Sequence, residues 1–279
     1  MSSMSPPAGT ANAYVLGHSE REIARLKAQA ALIDPVTRRF FQAAGLQAGM
    51  RVLDVGSGAG DVAFLARDIV GAQGSVIGVD TSGTAVAVAR ARAAERGLGN
   101  VDFRDGDPSE MTFDQPFDAI VGRYVLQFQR APEAMLAKLV RQARRGAVIV
   151  FHEIDWAGLS SHPPVPTFDQ CARWGEEAMR RHGTETHMGR SLHRTFVEAG
   201  LAAPSMRLDA PAGGWPACRP WLEMFRELLS TLLPQMERFD IVDAARLQLD
   251  TLVDRIGAEA LATRSVIFGH FQIGAWTRT

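Results

Sequence analysis

The sequence predicts a doubly wound α/β domain, a parallel sheet with helices on both faces, and three observations carry the prediction. From Arg51 onward, short apolar runs alternate with stretches of helical periodicity. The runs are apolar throughout, as strands buried on both faces require. A glycine-rich loop joins the first run to the first helix of the alternation, where α/β sheets bind their ligands.

Taken in order, residues 1–13 are rich in Ser, Pro, Ala and Gly and read as a flexible tail. They carry neither a basic start nor an apolar stretch of the kind an export signal needs. Ser19-Glu20-Arg21-Glu22 has capping-box spacing, with Ile23, Leu26 and Ala30 following on one helical face. A first helix is expected to run to Ile33 and break at Asp34-Pro35, with a second over 36–44 ending at Gly45. Strands are expected at 51–55, 75–79, 101–104, 117–121 and 147–151, and helices at 62–70, 84–96 and 132–141. Right-handed crossovers between parallel strands then place the helices on both faces. Beyond Asp155 the pattern loosens after Pro163-Pro164-Val165-Pro166. Helices are expected at 167–181 and 191–199, a strand at 205–210, a helical segment at 220–262 and a last strand within 266–276.

Composition narrows the function. The 279 residues are 46% apolar and 22% charged, and 30 Lys and Arg balance 31 Asp and Glu. That neutrality argues against a phosphate-backbone binder, so neither nucleic acid nor an anionic membrane is expected as partner. No apolar stretch is long enough to span a bilayer. The two cysteines, Cys171 and Cys218, make no disulfide framework, so a cytoplasmic setting is the default. The seven histidines include no H-x-x-x-H or H-E-x-x-H spacing, and no metal site is expected.

The loop Asp54-Val55-Gly56-Ser57-Gly58-Ala59-Gly60-Asp61 is the most informative segment. Its glycines let the backbone approach a ligand, and the helix that follows offers free N–H donors. A dinucleotide fold wants G-x-G-x-x-G, but here Asp61 stands where the third glycine would be. Asp54, just ahead of the loop, suits a cationic ligand better than a pyrophosphate. Asp80, ending the second strand, is placed to accept from the hydroxyls of a ribose, although it also stands where a helix cap could serve, a task for which Ser82 competes. Gly106-Asp107-Pro108 brings another carboxylate to the same edge, on the side of an adenine. Acids and a glycine loop at consecutive strand ends describe a pocket for a nucleoside with a positively charged tail.

On these residues the stretch from Tyr14 to Trp156 resembles the class I S-adenosylmethionine-dependent methyltransferases of the small-molecule type. The resemblance implies a Rossmann-like sheet of seven strands, mostly parallel with the last antiparallel, and N-terminal helices (14–48) covering the cofactor. It implies S-adenosyl-L-methionine as cofactor, held by Tyr14, Asp54, Gly56, Ser57, Gly58, Gly60, Asp80, Thr81, Gly106, Asp107, Pro108 and Arg123. Two departures stand out. Pro108 has no N–H where an amide often meets the adenine, and Arg145-Gly146-Ala147 replaces the family's Pro-Gly-Gly.

The remainder of the methyltransferase domain (49–279) is read as serving the acceptor through a helical lid over 160–200 and 215–262. His152 and Glu153, emerging from the fifth strand, are the candidate catalytic pair, or else a structural pair that satisfy each other. Tyr124, Trp156, Trp221 and Phe225 are the candidate substrate contacts, or else core. The expected reaction is methyl transfer to N, O or C of an apolar or aromatic small molecule, in the manner of secondary metabolism. The alternatives are a same-fold enzyme using the bound sulfonium for non-methylating chemistry, or a catalytically silent binding subunit. A homodimer is compatible with this reading.

Overall fold

The computed structural model describes residues 20–279, with the side chains of the first helix described from Leu32 onward. Tyr14 and Ser19, and with them the cofactor-lid and capping-box expectations, lie outside the described residues. Helix α1 (Glu20–Ala44) leads into an alternation of β1 (Arg51–Val55), α2 (Asp61–Val70), β2 (Ser75–Asp80), α3 (Gly83–Glu95), β3 (Val101–Asp105), β4 (Phe117–Arg123), α4 (Pro132–Val140) and β5 (Ala143–Asp155). There follow β6 (Ser160–His162), α5 (Pro166–His182), α6 (Met188–Glu198), β7 (Ser205–Asp209) and β8 (Ala212–Gly213). The chain ends with α7 (Arg219–Arg238), α8 (Ala244–Leu247), α9 (Leu249–Thr263), β9 (Val266–Phe268) and β10 (Phe271–Arg278).

The main sheet has seven strands in the order β3-β2-β1-β4-β5-β10-β7. Strands β1 to β5 pair in parallel, and β10 runs antiparallel to both β5 and β7. The strand order reverses between β1 and β4, which sets a ligand crevice at their carboxyl ends. Val52, Leu53, Val55, Ala119, Ile120, Val121, Val148, Ile149 and Val150 are inaccessible to solvent, the consequence of helices on both faces.

Three differences from the sequence expectation have physical causes. First, α1 does not break at Pro35, which lies inside one continuous helix. The ring costs one helical hydrogen bond, but Ile33, Val36, Phe40 and Phe41 are all buried on the same body, and that packing holds both halves in line. Second, the expected last strand over 266–276 is two strands in two sheets. Gly269 and His270 interrupt it, so β9 joins a separate three-stranded antiparallel sheet between β6 and β8 while β10 enters the main sheet. Third, residues 188–198, placed by sequence in the lid, form α6, whose Met188, Leu192 and Phe196 pack with Ile149, Phe151 and Ile273 of the main sheet. The helical layer that does stand apart is α5, α7 and α9, whose Phe168, Phe225, Leu229, Leu252 and Ile256 share a core of their own with Trp156.

Candidate functional site

The loop after β1 folds as its glycines demand. Gly56, Gly58 and Gly60 all have positive φ, at 66°, 51° and 92°, a region that side-chain-bearing residues rarely adopt. Close approach adds a second reason at two of them. A Cβ on Gly56 would lie 2.6 Å from Val125 Cγ2, and one on Gly60 would lie 2.8 Å from Phe103 Cζ. Gly60 also starts α2 without a side-chain cap, so no side chain at the N-cap takes up the first N–H groups of that helix.

Asp54 is wholly buried on β1; neither carboxylate oxygen makes a well-formed hydrogen bond among the described residues, and the Ala63 N–H in the first turn of α2 gives its charged form only minor support. Burial raises its pKa well above the ordinary carboxylate value, against the opposing pull of Arg123. Ser57 Oγ is buried and unpartnered beside it in the loop. Asp80 ends β2 and closes the loop: one carboxylate oxygen accepts from Gly58 N–H at 2.8 Å and the other from Ser82 N–H at 2.8 Å. Ser82, not Asp80, caps α3, its hydroxyl accepting from Ala85 N–H. Thr81 is exposed beside it.

At the end of β3, Gly106 donates its N–H to the Asp80 carbonyl at 3.0 Å, which fixes the two strand ends together. Asp107 is exposed, with one oxygen accepting from Ser109 N–H at 2.8 Å, and Pro108 is buried behind it. The edge therefore presents a dry unpaired acid, a left-handed glycine loop, a fixed acid at β2 and an exposed acid at β3. These residues fit S-adenosylmethionine: a buried carboxylate with both oxygens unmatched is the partner a cationic group needs, and trimmed glycines are the cradle a nucleoside needs.

The other predicted residues sit at the ends of β4 and β5, where a chain of hydrogen bonds joins α1 to the sheet. Arg123 Nη1 donates to Asp34 Oδ1 at 2.7 Å and to Thr37 Oγ1 at 3.0 Å. Thr37 Oγ1 meets His152 Nδ1 at 3.0 Å, and His152 Nε2 meets Gln272 Oε1 at 2.9 Å. Tyr124, held at a φ of 59°, donates its hydroxyl to the same Gln272 oxygen. Burial pushes His152 down to about 3, so the ring is neutral. Because Gln272 Oε1 only accepts, the proton is on Nε2, and Nδ1 accepts from Thr37. Burial raises the Tyr124 phenol further above its ordinary value, so it remains a donor.

His152 and Glu153 do not pair with each other. They are successive residues of one strand and face opposite sides of the sheet. Glu153 Oε1 accepts from Val125 N–H at 2.9 Å and Leu126 N–H at 2.8 Å, while Oε2 has no partner among the described residues. Burial lifts Glu153 to about 7. Two residues on, Asp155 accepts from Arg190 and from His187 Nδ1, anchoring the start of α6. Trp156 follows β5, and Trp221 and Phe225 lie on α7; all three are buried and gather around His270.

Sequence reasoning missed Asp34, Thr37, Gln272 and His270. Asp34 was read as punctuation before Pro35, and Thr37 meets Arg123 and His152 through the packing of α1 on the sheet. Gln272 meets His152 through the pairing of β10 with β5, and His270 meets Trp156, Trp221 and Phe225 only through tertiary packing. Among the described residues, no three His, Cys, Asp or Glu side chains converge as a metal-binding group. No helix among them is long and apolar enough to cross a membrane.

The chain is similar to known methyltransferases. The nocamycin O-methyltransferase of Saccharothrix syringae is 43% identical over 139 residues, which is 50% of this chain and 47% of that enzyme. The aklanonic acid methyltransferase DauC of Streptomyces sp. strain C5 is 34% identical over 180 residues, 60% of this chain and 82% of the other. The chain thus spans less than half the length of the nocamycin enzyme. The YcgJ protein of Bacillus subtilis shares the fold at a TM-score of 0.52 and 18% identity, over 86% of this chain and 96% of that one. A family model described as a methyltransferase domain matches residues 46–200, and the chain belongs to that family.

Proposed function

We propose that the protein transfers the methyl group of S-adenosyl-L-methionine to a nitrogen, oxygen or carbon of an apolar or aromatic small molecule, as in secondary metabolism. The observation that carries the reading is Asp54, a buried carboxylate with both oxygens unmatched behind a loop of three left-handed glycines. When bound, S-adenosylmethionine supplies a methyl group already activated by a sulfonium. Asp54 would hold the cationic end, the remaining lone pairs of Asp80 the ribose, and Gly106, Asp107 and Pro108 the adenine edge. The α2 N-terminus and the loop amides complete the cradle.

With the methyl group already activated, the protein's task is alignment and water exclusion, effects that supply roughly 7–11 kcal/mol. Arg123, Thr37, His152 and Gln272 serve alignment by fixing α1 against the sheet edge, and the apolar layer of α5, α7 and α9 serves exclusion. His152 is a positioning residue in this account, because both ring nitrogens are engaged. Where the acceptor must lose a proton, Glu153 is the group to take it, with a pKa near neutrality and one free oxygen.

The small acceptor is supported by the relatives, whose names specify nocamycin and aklanonic acid. A nucleic-acid acceptor is not expected at a net charge of −1. We place the protein in the cytoplasm, and light scattering reads out the homodimer the sequence allows. Incubation with S-adenosylmethionine and a panel of planar phenols, quinols and indoles should give a product heavier by one methylene, with release of S-adenosylhomocysteine. Asp80→Ala should weaken S-adenosylhomocysteine binding about tenfold to a hundredfold by calorimetry. Unchanged affinity would sink the nucleoside pocket.

A further inference from the structure

Three buried nitrogens without hydrogen-bond partners converge on one histidine ring. His270, in the turn between β9 and β10, stands edge-on to Trp156, with ring centroids 4.6 Å apart and planes at 82°. Trp221 lies at 5.9 Å and Phe225 at 6.4 Å from the same ring. Trp156 Nε1, Trp221 Nε1 and His270 Nε2 are all closed to solvent and unpartnered among the described residues.

Packing explains the rings but not the nitrogens. An indole N–H only donates, and burying it unpaired is unfavourable, whereas Phe fills similar space without that cost. The two tryptophans come from distant parts of the chain, one closing β5 and the other opening α7, yet both reach His270. The backbone is trimmed to allow it, for a Cβ on Gly269 would lie 2.5 Å from Trp221 Nε1. Burial holds His270 at about 3, opposed by Asp155, so the ring stays neutral and can give or accept one hydrogen bond at Nε2. Of the cage, Trp156 also lines a cleft of about 230 Å³ with Leu159, Ser160, Ser161, Asp169 and Arg173, so open space reaches one wall of the cage.

We propose that Trp156, Trp221 and His270 form a polar subsite inside the aromatic lid that takes the oxygen-bearing edge of a planar acceptor. The indoles donate to a carbonyl or phenolate oxygen, and His270 exchanges a hydrogen bond with a neighbouring hydroxyl. The subsite rests on the reading that these residues line the acceptor site.

Equilibrium dialysis of the full chain with saturating S-adenosylhomocysteine, against 2-hydroxy-1,4-naphthoquinone and oxygen-free naphthalene, tests it. The parent protein should prefer the hydroxyquinone at least tenfold, and Trp221→Phe and His270→Phe should each remove roughly that preference. Binding of naphthalene and of S-adenosylhomocysteine should be unchanged in both variants. A preference retained in both variants, or absent in the parent, overturns the subsite while leaving the acceptor reading intact. Failure of both ring compounds to bind the parent overturns the lid as acceptor site and the subsite with it. Loss of S-adenosylhomocysteine binding marks a misfolded variant, and the other variant then decides.

Discussion

Asp54 and His152 are equally buried, but their surroundings treat them in opposite ways. At the end of β1 the carboxylate of Asp54 and the hydroxyl of Ser57 make no well-formed hydrogen bond among the described residues. At the ends of β4 and β5, Asp34, Arg123, Thr37, His152, Gln272 and Tyr124 consume one another's hydrogen-bonding capacity. Buried polar groups are ordinarily satisfied, which is why we propose the first arrangement as the ligand site and read the second as a scaffold. Burial alone would have ranked the two as equal candidates for chemistry.

The largest effect is expected at Glu153, which extends the scaffold on the other face of the sheet by holding the turn after β4. Glu153→Ala orphans the N–H groups of Val125 and Leu126 and should cost about 2–5 kcal/mol in urea unfolding, with Glu153→Gln recovering most of it. An Ala variant as stable as the parent would detach Glu153 from the scaffold. On the ligand side, Gly60→Ala combines a left-handed backbone with contact on Phe103 and Phe64, and should cost about 2–4 kcal/mol. Gly58→Ala meets nothing within 4 Å and should cost only the backbone strain of about 1–2 kcal/mol. Thermal melts of the two variants compare them directly.

Acid stability sharpens the contrast further. His152 has a folded pKa of about 3, below its ordinary 6.5. Its contribution is therefore fully present above about pH 6.5 and is lost as the pH falls toward 3, by up to about 1.4 kcal/mol per pH unit. His270 behaves the same way. Asp54 and Glu153, both raised, have the opposite slope, losing stability as the pH climbs through the carboxylate range. His152→Phe should flatten the acid limb between pH 6.5 and 4 in urea melts, beyond any constant offset. An unaltered slope would mean that the ring is not held neutral by the fold.

Much of the sheet domain was legible because local rules govern it. Strands β1, β2, β4 and the inner part of β5 are apolar runs between turn residues, and the loop glycines must be glycines for reasons visible in their spacing. Strand β3, Val-Asp-Phe-Arg-Asp at the sheet edge, buries only Phe103 fully and departs from the apolar pattern expected of it. The helical layer was less legible, and the small sheet of β6, β8 and β9 was not legible at all. Its strands are two or three residues long and come from around positions 160, 212 and 267, so only tertiary pairing defines them. The continuity of α1 through Pro35 was decided by the burial of Phe40 and Phe41, against the local signal. The site divides the same way. Asp54 and Asp80 stand at the strand ends where the sequence pattern puts them, whereas Arg123, expected at the cofactor, bonds Asp34 and Thr37. Gln272 reaches His152 only because β10 pairs Gly274 with His152 and Gln272 with Ile154.

The central claim is that the unmatched acid at β1 is kept for a cationic ligand, and Asp54→Asn tests it in one pair of measurements. Asn cannot acquire the charge whose burial raises the Asp54 pKa, so the ligand-free variant should lose less stability than the parent as the pH climbs, while S-adenosylhomocysteine binding weakens about tenfold to a hundredfold by calorimetry. A flatter loss of stability with rising pH, together with weaker binding, is the predicted result. A variant that keeps the parent's pH slope and binds S-adenosylhomocysteine as the parent does would show that Asp54 belongs to the scaffold, and the account would be contradicted.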